Sequence, residues 1–95
     1  IVEKLPARDI PEDFGVAGDA FRTNRSVRRE FEAREPAAWN DFEKSTGVQV
    51  LSILATPLSM EDEEPIGIVQ LINKDDGPFT DTDVAVMDIV SAVAT

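Results

Sequence analysis

The apolar positions of this chain fall into segments of different period. Residues 50–58 (VLSILATPL) and 66–72 (IGIVQLI) are the densest apolar runs, and their branched side chains predict strands. In the second run, positions 66, 68 and 72 on one face and 69 and 71 on the other are all apolar, so neither face suits water. Both strands are therefore expected in the interior of a sheet, covered on each side. The acidic stretch 60–65 (MEDEEP) joins them as a hairpin turn.

Residues 80–95 read as a helix. Thr80 is placed to cap it, Asp83 follows three residues later as a capping-box variant, and Asp81 and Asp83 complement the positive helix start. Val86, Ile89, Val90 and Val93 form an apolar stripe, read as the side that faces the sheet; the alternative is a dimer or signalling-helix seam. Upstream, 15–23 predicts a short helix ending near Thr23, because Asn24 tolerates the left-handed conformation of a helix exit. Residues 26–29 predict a brief strand. In 29–35 (REFEARE) the charges alternate so densely that a solvated loop or helix face is expected, with no chemistry attached. Pro36 suits a first helical turn, and Trp39 with Phe42 gives the following turns an apolar face before Gly47 ends them. Residues 1–14 read as a strand end running into a loop through Pro6 and Pro11. The chain begins at Ile1 without Met and stops at Thr95 within an apolar-periodic stretch, so both ends read as cuts in a longer polypeptide.

This order of elements predicts one α+β domain over 1–95, an antiparallel sheet covered by helices on both faces. With 9 Lys plus Arg against 19 Asp plus Glu, the net charge of −10 disfavours phosphate backbones and anionic lipid as partners. No apolar run approaches the roughly 20 residues that span a bilayer, and a cytoplasmic location is expected. The chain has no Cys and no His. That excludes disulfides, a thiolate nucleophile, a thioether-linked bilin, Cys-ligated zinc and an imidazole ligand for haem. The acidic run Glu61, Asp62, Glu63 and Glu64 lacks the Gly-centred spacing of a calcium loop and reads as a solvated turn.

Four blocks in order, GVAGDAFRTN, FEKSTG, SILATPL and IGIVQLINKDDGPFTDTDV, resemble the C-terminal two-thirds of a GAF domain. The resemblance implies a GAF/PAS-like (profilin-like) sandwich with a six-stranded antiparallel sheet, whose N-terminal helix and first strand or strands lie outside this sequence. It also implies a small-molecule pocket between the sheet and one helical layer. The implied function is that of a non-catalytic regulatory or sensory module, fused to an output domain such as a cyclase, phosphodiesterase or histidine kinase, and homodimeric through its terminal helices. Residues 73–79 (NKDDGPF) with Asp83 look like the Asn-Lys-Phe-Asp-Glu signature of cyclic-nucleotide-binding members, with Val84 in place of the final Glu.

Carried over by position, the ligand contacts fall on Val16, Ala17, Glu43, Thr46 and Gln70, and a further polar contact position holds Val50. Gln70 also stands out by itself as the polar side chain on the face of Ile66, Ile68 and Ile72; a buried amide there needs a partner, which a purine edge, backbone or water supplies. Asn73, Lys74, Phe79 and Asp83 read as architectural: Lys74 and Asp83 as an ion pair latching sheet to helix, Phe79 as packing beneath the Gly77-Pro78 turn. Ser52 and Thr56 either line the same cavity as Gln70 or bond nearby backbone. The competing function is a dimerisation or scaffolding domain with no small-molecule ligand. An enzyme like the GAF-fold methionine sulfoxide reductases would need cysteines that this chain lacks.

Overall fold

A computed structural model describes residues 2–6, 15–60, 63–75 and 77–94, with the side chains of Glu3, Val93 and Ala94 left aside. The loop expected through Pro11, the acidic residues Glu61 and Asp62, Asp76 of the signature, and the Val93 end of the helical stripe lie outside the described residues. The elements are β1 (Val2–Pro6), α1 (Val16–Thr23), β2 (Val27–Glu30), a 3-10 turn (Pro36–Ala38), α2 (Asp41–Thr46), β3 (Ser52–Leu58), β4 (Gly67–Ile72) and α3 (Asp81–Ala94).

The strands make an antiparallel sheet in the order β1-β4-β3-β2. The two densest apolar runs are its centre, as their two-sided hydrophobicity requires. Every residue of β3 is buried. Pro57 fits this central strand because β2 reaches only as far as Ala55, so the missing N–H falls beyond that ladder. β1 closes against β4 at Gly67, where a Cβ would lie 2.5 Å from the Leu5 carbonyl oxygen; only glycine allows that approach. Four described strands stand where the resemblance leads to six.

The register assigns side chains to faces. Ile53, Ala55, Ile68 and Ile72 join Val16, Ala17, Ala20 and Val50 in one core beneath α1, with Phe21, Val27 and Phe42 packed around it. Small residues at 17, 20 and 55 let the α1 backbone come close to the sheet. The alternate positions of β3, Ser52, Leu54 and Thr56, face α3. Ser52 and Thr56 therefore do not share a cavity with Gln70, which stands opposite Ala55 on the α1 side. A strand's period of two fixes that separation.

α3 reverses the expected orientation. Met87 and Ser91 are buried, both 8% exposed, whereas Val86, Ile89 and Val90 are 51%, 67% and 46% exposed. Helix α3 is apolar on both sides, so periodicity alone does not select the side that meets the sheet. Polar anchors do. Lys74 Nζ donates to Asp83 Oδ2 at 2.8 Å, and Ser26 Oγ donates to Asp88 Oδ1 at 2.6 Å. Both acids lie on the Met87/Ser91 arc, and their partners turn that arc inward.

Candidate functional site

The ends of α1 are as expected. Asn24 takes the left-handed conformation (φ 52°, ψ 42°), its backbone N–H bonds the Ala20 carbonyl, and Arg25 N–H reaches the same oxygen at 3.3 Å. Val16 and Ala17, at the start of α1, are buried to 0% and 1% exposure within the core. Gln70 is 5% exposed on the same side of the sheet and is engaged in an interaction there. The fold thus brings Val16, Ala17 and Gln70 to one face.

Glu43 and Thr46 are on α2, a helix with a complete capping box. Asn40 Oδ1 accepts from Glu43 N–H at 2.9 Å, and the Asn40 N–H donates to Glu43 Oε1 at 3.1 Å. Gly47 ends the helix at φ 71°. Thr46 is exposed; its hydroxyl donates to the Phe42 carbonyl at 2.9 Å and accepts from Val48 N–H at 3.2 Å.

Glu43 itself is 0% exposed, and its carboxylate is fully engaged inside the protein. Arg34 holds it at two points, Nη1 to Oε1 at 2.8 Å and Nη2 to Oε2 at 2.5 Å, and Val50 N–H donates to Oε2 at 2.7 Å. The Arg34 guanidinium is the main reason that the carboxyl titrates at about 2 rather than 4.5; the amides of Val50 and Asn40 add to it against the opposing effect of burial. Arg34 was concealed in the alternating run 29–35, read as chemically empty. The Asn-x-x-Glu spacing at 40–43 was the available sign that Glu43 would turn back into the protein.

The architectural residues cluster at the far end of β4. Asn73 has φ 60°. Its Oδ1 accepts from the N–H groups of Leu51 at 2.7 Å and Ser52 at 3.2 Å, and its Nδ2 donates to the Gln49 carbonyl at 2.7 Å, so it clamps the entry to β3. Asp83 Oδ2 accepts from Lys74, from Thr80 N–H at 2.8 Å and from the Thr80 hydroxyl at 3.1 Å, while Asp83 N–H returns to Thr80 Oγ1 at 3.2 Å. Lys74 first, then the Thr80 amide, holds the Asp83 carboxyl below its ordinary value. The latch and the capping-box variant are one structure. Phe79 lines a groove of about 290 Å³ with Arg28, Arg29 and Glu30 of β2.

Two more open grooves are described, about 400 Å³ between Phe31, Leu51, Lys74 and Pro78, and about 510 Å³ between Phe21, Asn24 and Pro65. Gln70 lines none of the three. Among the described residues no buried side-chain nitrogen or oxygen lacks a hydrogen-bond partner. Nor do they include a group of three or more acidic, Cys or His residues able to hold a metal ion, or a helix long and apolar enough to cross a membrane.

A family model described as GAF domain matches residues 2–95. The chain belongs to the GAF domain family, and the sheet flanked by helices on both faces is the sandwich that membership entails.

Proposed function

We propose that this GAF domain is a non-catalytic regulatory module of a larger cytoplasmic signal-transduction protein, one that takes a small molecule on the α1 face of its sheet and passes the bound state on through a homodimer of α3. The observation that carries this reading is the orientation of α3. Its Val86, Ile89 and Val90 side chains are exposed, whereas Met87 and Ser91 are buried. Exposed apolar residues at i, i+3 and i+4 on an anchored helix suit a second copy of the same helix. Sedimentation equilibrium tests it: Val86→Asp with Val90→Asp should leave a folded monomer, and an unchanged association state would defeat the dimer.

The ligand class to test first is a cyclic nucleotide. The signature at 73–79 with Asp83 supports it, as does a carboxamide at Gln70 suited to a purine edge on the face that carries Val16 and Ala17. Val50, apolar and fully buried, weakens it. Glu43 enters this reading as the support of the α2 to β3 connection through Arg34 and Val50, and Thr46 as an exposed contact on α2. Calorimetric titration with cyclic AMP and cyclic GMP decides; no heat at millimolar ligand removes the nucleotide.

A second reading, a dimerisation or scaffolding domain without a ligand, is favoured by one specific observation. Buried polar side chains among the described residues are already paired, and the α1 face is filled by the chain's own side chains. Silent titrations together with association lost in the α3 variants would select it.

A further inference from the structure

Ser26 is a hub that neither the ligand face nor the α3 stripe accounts for. Its Oγ lies 2.8 Å from Thr56 Oγ1 and 2.6 Å from Asp88 Oδ1. A hydroxyl carries one proton, and the Asp88 carboxylate only accepts, so Ser26 gives its proton to Asp88 and receives that of Thr56. The result is a directed chain from the middle of β3, through the segment after α1, to the middle of α3. Thr56 is 1% exposed, and its carboxylate-terminated chain is stronger than an isolated hydroxyl pair.

The same segment is fixed to α1. The Asn24 and Arg25 amides both close on Ala20, so the direction in which the chain leaves α1 is set by the helix itself. Asn24 also joins the hairpin, accepting from Ser59 Oγ at 3.1 Å and donating to the Glu63 carbonyl at 3.4 Å. Ser26 thus directly follows the two residues tied to the end of α1, while its hydroxyl bonds α3. On α3 the Ser26 contact comes second along the helix, beside the buried Met87 and Ser91, and Ser91 is engaged as well. The first is at the helix start, where Asp83 meets Lys74 and Thr80, and Asp81 meets Arg28. Val86 lies between the helix start and Asp88, and Ile89 and Val90 lie beyond Asp88.

The geometry points to Ser26 as the relay between the two helical layers: a displacement of α1 loosens or tightens the Ser26–Asp88 bond and so releases or holds α3 beyond residue 88, while Lys74 and Arg28 keep the start of α3 in place. This deepens the regulatory reading above and rests on it for its purpose, but the relay is a property of the domain without ligand or partner. Coupling of this kind needs a contact that differs between two states, and the single Ser26 hydroxyl is one that α1 controls directly.

Amide hydrogen exchange on the 95-residue chain, at a concentration low enough to keep it monomeric, tests the relay separately from dimerisation. Ser26→Ala should speed exchange at residues 89–94 roughly tenfold, with residues 84–87 much less affected. Ala17→Val, which pushes α1 outward, should speed the same amides when Ser26 is present and add nothing in the Ser26→Ala background. Asp88→Asn, which keeps size and fold but weakens the acceptor, should fall between. Uniform exchange along α3 in Ser26→Ala, or an Ala17→Val effect that simply adds to Ser26→Ala, would overturn the proposal. A monomeric α3 surface with the expected exchange pattern would sink the dimer and leave the relay standing.

Discussion

Arg34 and Glu43 meet as a two-point ion pair across eight intervening residues that include the 3-10 turn and the start of α2, with the acid wholly enclosed and the arginine half-buried. The pair joins the segment after β2 to α2, and through Val50 N–H it also holds the approach to β3. Removing one partner strands the other's charge. Arg34→Ala should lower the free energy of unfolding by about 3–5 kcal/mol, a large part of a small domain's stability, measured by urea denaturation. A loss below about 1 kcal/mol would mean that the pair is solvated and contributes as a surface bridge does.

Acid stability follows from the same carboxylate. The folded value for Glu43, about 2, lies below the ordinary 4.5, so its contribution is fully present above pH 4.5 and disappears as pH falls from there through about 2. Asp83, held low by Lys74 and the Thr80 amide, and Asp19, held low by Arg29 and Arg22, act in the same direction. The urea midpoint should therefore be flat near neutral pH as far as these groups are concerned and fall steadily below pH 4.5. In Arg34→Ala the part of the fall due to Glu43 should be smaller, because without the guanidinium, the largest cause of the shift, the folded value moves back toward 4.5 and the titration window narrows.

Asn73 combines a left-handed backbone with three side-chain hydrogen bonds, and two substitutions separate these roles. Asn73→Gly keeps the conformation and loses the clamp; Asn73→Ala loses both. Thermal or urea unfolding should place Asn73→Ala about 1 kcal/mol below Asn73→Gly, with both less stable than the parent. Equal losses would assign the whole effect to the clamp.

Gly67→Ala brings a methyl group against the Leu5 carbonyl. The backbone of β1 must withdraw, at a cost of about 1–3 kcal/mol. Hydrogen exchange should increase first at the β1–β4 pairing from Val2 to Pro6, with β2 and β3 protected as before.

The orientation of α3 predicts opposite outcomes for two neighbouring apolar residues. Met87→Asp places a charge against the sheet and should cost about 3 kcal/mol or more, whereas Val90→Asp on the exposed side should change the monomer's stability by no more than about 0.5 kcal/mol. Chemical denaturation of the two variants, measured under monomeric conditions, makes the comparison.

The strand pair 50–58 and 66–72 was legible because two-faced hydrophobicity admits only a covered central position, and the structure puts β3 and β4 there. The exit of α1 at Asn24, the Thr80/Asp83 start of α3 and the Lys74–Asp83 latch were legible because each depends on residues close in sequence or at a strand end next to the helix it meets. Arg34 was not, since an arginine within an alternating charge run has no local mark distinguishing a buried partner from solvent. Ser26 was not, since its partners Thr56 and Asp88 are 30 and 62 residues away.

Local chemistry thus settled the central strands, the exit of α1 and the start of α3, and that the chain has neither the thiol nor the imidazole needed for covalent or haem-based sensing. The helix expected from Pro36 with Trp39 on its face instead divides into the 3-10 turn and α2, because Trp39 is extended (ψ 148°) and Asn40 caps a new helix. Tertiary contacts settled which side of α3 turns inward and on which face of the sheet each hydroxyl lies, and they brought Glu43 under Arg34. The physical reason is range. Capping, turn geometry and hydrophobic period act within a few residues, but a helix apolar on two sides is oriented only by the distant groups that happen to anchor it, here Lys74 and Ser26.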